Sequence, residues 1–325
     1  MLRELLPMSA RCRSARATHC LGVFIFLVAG AAAAQGPRVI VVQSSDLGAY
    51  RTVAAGFTAE VDADVQVATL PDGAEQAQVL WRKISELNPV LVFALGPRAA
   101  TGAKHALGSI PVVFGMVPYY ERYGLEGANV TGVALVPEVG ASLDALKALS
   151  PRVKRVGMLH DPRYAARAVT DAIAGARSRG LVIVPLEASS TSLAERALQG
   201  ARGQVDALLM VADKTVSNAA VVKRLLAFAD SEHLPLLALS ATQVKEGATL
   251  SLAPSYLGVG QQAGRLAHRI IYDRVDPSAV AVTAPETLDL TVNLPAARRL
   301  GNPSGVALEL MKFAAHQGYT LKVYE

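Results

Sequence analysis

Leu91-Val92-Phe93-Ala94-Leu95-Gly96, a helix-length stretch opened by Pro97, and then Ile110-Pro111-Val112-Val113-Phe114 decide the fold. Two short runs of branched and aromatic apolar residues, separated by an amphipathic segment, are the pattern of parallel strands joined by a crossover helix. The same phrase returns later as Leu208-Leu209-Met210-Val211-Ala212-Asp213, a helical stretch, and Leu234-Pro235-Leu236-Leu237. The echo implies two similar α/β lobes in one chain.

Working outward, Val39 to Val42 and Val65 to Ala68 read as the strands before Val90 to Phe93. A helix from Ala74 to Leu87 carries Val79, Leu80, Ile84 and Leu87 on one stripe, and Asn88-Pro89 stops it. Asn129 to Val133 follows a tyrosine-rich loop. A helix beginning near Val139 ends at Ser150-Pro151, after which Val153 to Leu159, Leu181 to Leu186, Ala207 to Val211 and Leu236 to Leu239 are expected strands. Thr249 to Leu252, a helix over Leu257 to Tyr272, and Thr287 to Val292 complete the pattern. The glycines of Gly258-Val259-Gly260-Gln261-Gln262-Ala263-Gly264 lack dinucleotide-loop spacing and are expected to allow close helix packing. The expected architecture is α/β, with two doubly wound parallel-sheet lobes and a ligand cleft between them. One lobe is assigned residues 37–136 plus about 254–283, the other 137–253 plus about 284–302, and residues 303–325 form a C-terminal extension without a readable pattern.

The 325 residues are 51% hydrophobic and 18% charged, which supports large buried cores and argues against disorder. The formal charge of +5 is concentrated at the start, where four arginines accompany one glutamate in residues 1–34. Arg11, Arg13 and Arg16 precede an apolar run from Leu21 to Ala34, the order of a secretory signal peptide with cleavage expected after Ala34. The run is shorter than the ~20 residues that cross a bilayer as a helix. The rest is nearly neutral and poor in aromatics, which excludes a basic nucleic-acid surface with stacking platforms. Both cysteines, Cys12 and Cys20, lie in the leader, so the exported chain is expected to use neither disulfides nor thiolate chemistry.

No catalytic or cofactor motif emerges. The nearest approach to a nucleophile elbow, Gly140-Ala141-Ser142-Leu143-Asp144, lacks the second glycine, and Ser142 reads as a helix residue. His105, His160, His233, His268 and His316 are dispersed without metal-ligand spacing. The reading is therefore a non-enzyme without cofactor or metal. Polar residues do collect at strand ends. Ser44, Ser45 and Asp46, then Gly96 and Arg98, then Met116, Tyr119 and Tyr120 are the candidates in the first lobe. The second lobe contributes His160, Asp161, Asp213 with Lys214 beside it, and Ser240, and Tyr256 stands where the chain recrosses. Such groups around a cleft can clamp a small polar ligand without reacting with it. Two readings stay open for the acids: Asp213 either anchors a ligand donor or caps the next helix, and Ser44, Asp46 and Asp161 have the same capping alternative.

The order Ile110-Pro111-Val112-Val113-Phe114, Gly127-Ala128-Asn129-Val130-Thr131-Gly132-Val133 and Leu149-Ser150-Pro151 with Arg155-Val156-Gly157 resembles periplasmic substrate-binding proteins of ABC importers. Asp213-Lys214-Thr215-Val216, Val244-Lys245-Glu246-Gly247-Ala248 and Leu290-Thr291-Val292-Asn293 extend the resemblance over about residues 37–302. It implies the type I binding-protein fold, two lobes closing on a small ligand, and, from members that bind tryptophan and other aromatic amino acids, an amino acid or aromatic ligand. A monomer working with inner-membrane permease subunits is implied, with a ligand-sensing module for a receptor kinase as the alternative. Three places depart from the family pattern. Val117-Pro118-Tyr119-Tyr120-Glu121-Arg122 stands where an Asp-Pro pair is usual, Arg163-Tyr164-Ala165-Ala166 replaces small hydroxyl and amide residues, and Arg98 replaces a small one.

Overall fold

The computed structural model describes residues 36–325 except residue 128 and residues 301–304. The expected leader, its cleavage point and both cysteines lie outside the described residues.

The first sheet is wholly parallel. It is built from β1 (Arg38–Gln43), β2 (Asp64–Thr69), β3 (Leu91–Leu95), β4 (Val112–Gly115) and β5 (Val130–Gly132), in the order β2-β1-β3-β4-β5. Helices α1 (Gly48–Glu60), α2 (Ala74–Leu87) and α3 (Pro97–Ala106) make the first three crossovers. Strand alternation sorts the apolar side chains onto two faces. Val39, Val41, Leu91 and Phe93 pack with α1, where the Phe57 and Phe93 rings stack 4.3 Å apart. Ile40, Val42, Val92 and Phe114 face Trp81 and Ile84 of α2 on the other side. Helix α2 ends on Asn88 in the left-handed conformation (φ 44°), directly before Pro89.

The second sheet has seven strands. Helix α4 (Val139–Leu149) leads into β6 (Arg155–His160), α5 (Pro162–Arg177), β7 (Val182–Glu187) and α6 (Thr191–Gly200). β8 (Ala207–Met210), α7 (Ala219–Ser231), β9 (Leu236–Ala238), α8 (Ala241–Lys245) and β10 (Leu250–Pro254) follow. Helix α9 (Tyr256–Ile271) then leaves this sheet and packs in the core of the first, through Val259, Ala263 and Ile270 beside Phe57. Glycine sets that approach: a Cβ on Gly260 would run into the Val53 carbonyl and come within 2.8 Å of the Phe57 nitrogen. The chain returns as β11 (Leu288–Asn293), antiparallel to β10, followed by α10 (Leu294–Arg298). The segment set apart as an extension contains α11 (Val306–Gln317) and β12 (Thr320–Tyr324). Leu310 and Ala314 of α11 join the core beneath α4, and β12 pairs in parallel with β11. The strand order is β12-β11-β10-β9-β8-β6-β7. Among the described residues, no helix is long and apolar enough to cross a membrane.

Candidate functional site

Parallel sheets wound in opposite directions from a central pair leave a crevice where the strand order reverses, outside the carboxyl ends of the strands. In the first sheet that point lies between β1 and β3, and in the second between β6 and β8.

The first crevice is filled by the chain itself. Ser44 follows β1, and its hydroxyl oxygen accepts the Ala99 N–H at 3.0 Å, satisfying an open donor in the first turn of α3. The Tyr50 hydroxyl hydrogen-bonds Ser44, and burial raises the Tyr50 phenol above its ordinary range. Gly96, after β3, has φ 87°, and a Cβ there would run into the Tyr50 hydroxyl and lie 2.7 Å from the Ser44 oxygen. Arg98 donates to the Pro71 carbonyl at 2.6 Å, the Asp72 carboxylate at 2.8 Å and the Ser44 carbonyl at 3.3 Å. Ser45 is half-buried, and Asp46 is an exposed partner of Arg51.

Two buried aspartates occupy the second crevice. Asp161 follows β6 and caps α5: it accepts the Arg163 N–H, a two-pronged contact from the Arg163 guanidinium, and the Thr215 hydroxyl at 2.6 Å. The Arg163 hydrogen bond dominates in holding this carboxyl well below its usual range. Asp213, beyond β8, accepts the Asp161 N–H at 2.9 Å on one oxygen and the Val216 N–H at 2.7 Å on the other. Its carboxylate thus ties the two strand ends together. His160 is buried with Nδ1 3.2 Å from the Met158 carbonyl, and Ser240 caps α8 by accepting the Gln243 N–H.

A cavity of about 670 Å³ opens beside these strand ends. Its apolar side is the sheet face carrying Met158, Leu209, Leu237 and Leu252. The three connecting segments between the sheets supply another wall, through Val136, Pro254 and Thr283 among others. Gln262 of α9 fastens the last of these segments, donating to the Thr283 hydroxyl and Ala284 carbonyl and accepting the Glu286 N–H. The tyrosine-rich loop closes the cavity with Tyr119, Tyr120 and Glu121, and Tyr256 opens α9 at its edge. Tyr119 reaches from this loop into the second sheet's core and hydrogen-bonds the Ala212 backbone. Burial first, opposed by that hydrogen bond, pushes its phenol up to about 12. The loop backbone is strained where it presents this ring: Met116 and Tyr119 have φ 60° and 48°.

Of the residues singled out from sequence, Tyr119, Tyr120 and Tyr256 line the cavity. Ser44, Ser45, Asp46, Gly96 and Arg98 gather at the first crevice, Met116 is buried behind the tyrosine loop, and His160, Asp161 and Asp213 form the frame of the second. Sequence reading did not select Leu209, Leu237 or Leu252, because a cavity-facing apolar residue in a strand has the same pattern as a core residue. It placed Lys214 at a strand end but did not join it to Arg122 and Tyr164, where three cations surround one ring: Arg122 lies 5.0 Å, Arg163 5.5 Å and Lys214 5.8 Å from the Tyr164 ring centre. The departures from the family pattern at residues 117–122 and 163–166 were the available signal. Among the described residues, no group of three or more histidine, cysteine or acidic side chains is placed to hold a metal ion.

A tyrosine-binding protein of Clostridioides difficile (strain R20291) is 23% identical over 212 residues, covering 62% of this chain and 60% of that protein's length. A ligand-free, open substrate-binding protein with adhesive properties from Clostridium difficile superposes with a TM-score of 0.71 at 20% identity, covering 89% of this chain and all of the other. A domain in complex with L-Trp from Streptococcus pneumonia gives 0.62 at 20% identity, over 84% of this chain and 98% of that one. These likenesses show the type I binding-protein fold. The ABC transporter substrate-binding protein family matches residues 60–304, most of the chain, and the protein belongs to that family.

Proposed function

We propose that this protein is an exported solute-binding protein that captures an amino acid or aromatic compound and delivers it to an ABC importer. The observation that carries the reading is the cavity of about 670 Å³ walled by the face of the second sheet, the connecting segments and the tyrosine-rich loop, with Tyr119 reaching from that loop into the second sheet's core. That volume suits a small molecule, and an apolar floor with a few polar groups at the mouth suits one with a flat or branched body. The tyrosine-binding relative and the L-Trp complex support the same ligand class. The lobes would comprise residues 37–136 with 254–283 and residues 137–253 with 284–302, hinged at the connecting segments. Tyr119, Tyr120 and Tyr256 would touch the ligand; Ser44, Ser45, Asp46, Gly96, Arg98, Met116, His160, Asp161, Asp213 and Ser240 would fix the strand ends and loops behind the cleft. The protein would act without catalysis or cofactor, as a periplasmic monomer released from its leader, with permease subunits as partners.

Native mass spectrometry of protein purified from the exported fraction tests the reading, together with melting shifts across amino acids and aromatic metabolites. A co-purified small molecule that raises the melting temperature is expected. Tyr119→Ala should weaken an aromatic ligand more than an aliphatic one; equal losses would assign Tyr119 to packing. Absence of any ligand-induced shift would overturn the proposal.

A further inference from the structure

The cluster around Tyr164 is not explained by packing or by capping. Tyr164 stands in the first turn of α5, just before Ala165, whose φ of −130° and ψ of 15° interrupt the helix. Arg163 is balanced: Asp161 grips its guanidinium, and it donates to the Ser189 carbonyl at 3.0 Å. Arg122 and Lys214 are different. Both are exposed, and neither has a carboxylate partner among the ion pairs of the described residues. The nearest acids in sequence are already engaged or separate: Asp213 holds two backbone N–H groups, and Glu121 lines the cavity without pairing with Arg122. Collecting like charges around one ring is unfavourable by itself, and an anion placed among them relieves it. The cluster adjoins the cavity on every element it uses. Arg122 directly follows Glu121, Lys214 is two residues beyond Ala212, and Tyr164 is one turn before Ala168, all three of those neighbours being in the cavity wall. Arg122 comes from the tyrosine-rich loop between β4 and β5 of the first sheet, and Lys214 and Tyr164 come from segments that follow strands of the second.

We propose that Arg122 and Lys214, above the Tyr164 ring, form an anion subsite at the mouth of the cavity, so that the ligand must carry a carboxylate while its apolar body rests on the floor below. This rests on the binding-protein reading and narrows its ligand class. It makes the carboxylate, not an ammonium, the group that the site demands.

Calorimetric titration of the full chain with a matched series, phenylpropionate, phenylalanine and phenylethylamine, separates the demands. The two carboxylates are expected to bind, with phenylethylamine at least about ten-fold weaker. A hydrogen bond to a charged group contributes about 1.5–3 kcal/mol, so Arg122→Gln and Lys214→Gln should each weaken phenylpropionate by about ten- to hundred-fold. Both side chains are exposed, and the variants should melt like the parent. Arg224→Gln, an exposed arginine paired with Glu195, should leave affinity unchanged and exclude a general charge effect. Phenylethylamine binding as tightly as phenylpropionate, unchanged affinity in both variants, or no binding by any of the three overturns the anion subsite. A neutral or cationic co-purified ligand that stabilises the protein would overturn it while leaving the binding-protein reading intact.

Discussion

The two crevices occupy equivalent places in their sheets yet are built from opposite chemistry. At the first, between β1 and β3, neutral groups close the space: the Ser44 hydroxyl, the Tyr50 phenol and the bare backbone of Gly96, with Arg98 laid over carbonyls outside. At the second, between β6 and β8, two buried carboxylates meet backbone N–H groups and an arginine. A hydroxyl can donate or accept, and its loss leaves little charge imbalance. A buried carboxylate must find donors or be neutralised. The second crevice is therefore held by obligatory interactions, and its outer rim carries the cations around Tyr164. Position at a topological switch point is shared; the side chains decide which crevice is closed and which faces a cavity.

If the second crevice depends on its carboxylates, Asp213→Asn should produce the largest loss. The amide offers one acceptor where two buried N–H groups, from Asp161 and Val216, now have one oxygen each. Leaving a buried donor facing an NH2 group costs about 1–3 kcal/mol, and we expect about 2–3 kcal/mol in denaturant unfolding. A loss below about 0.5 kcal/mol would break the contrast. Ligand titration of the same variant sharpens it: an affinity loss far beyond the stability loss would assign Asp213 to anchoring as well.

At the first crevice the corresponding test is Gly96→Ala, expected to destabilise by about 2 kcal/mol. The φ of 87° disfavours any side chain, and the new methyl would push against Tyr50 and Ser44. Replacing Tyr50 with Phe in the same background should recover part of the loss by removing the hydroxyl in the way. No recovery would mean that backbone conformation, not crowding, fixes the glycine.

A smaller effect separates the crevices by pH. Asp161 is held below its ordinary value of 3.8, mainly by Arg163. Its folded pKa is lower than its unfolded pKa, so its contribution is fully present above the unfolded value and is lost as pH falls through the folded one. Asp161→Asn keeps an oxygen to cap α5 but loses the charge that faces Arg163, which should cost about 1 kcal/mol near neutrality, and the variant and parent should converge in melting temperature at acid pH. A constant gap across the acid range would show that shape, not charge, supplies the contribution.

Most of the framework was legible because strand burial leaves a strong signature. Val39 to Val42, Leu91 to Leu95 and Leu208 to Met210 alternate between two apolar faces and can only be central strands. The glycines of α9 were legible as packing glycines, since their spacing fits no phosphate loop. β12 was not: Thr320–Tyr324 is an outer strand with mostly exposed side chains, so nothing in Thr-Leu-Lys-Val-Tyr distinguishes it from a tail until β11 supplies its hydrogen bonds. At the candidate site, strand-end polarity located both crevices but could not separate a residue facing the cavity from one capping a helix. That distinction depends on loop backbone, such as the positive φ at Met116 and Tyr119, and on long-range partners, such as Thr215 reaching Asp161.

Arg98→Met should have the smallest effect of the series and bears most directly on whether the first crevice is closed. The guanidinium holds Asp72 and the carbonyls of Pro71 and Ser44, but it is half exposed, and Asp72 is fully so. An exposed ion pair contributes about 0–1 kcal/mol because water and salt compete for both charges, and water can replace arginine at the outer carbonyls. Methionine keeps much of the stem packing. The expected loss is below about 1 kcal/mol, with ligand affinity unchanged, because Arg98 does not line the cavity. A stability loss of that size accompanied by ten-fold weaker ligand binding would mean that the first crevice opens toward the ligand, and the division between a closed crevice and a cavity-facing one would fail at that residue.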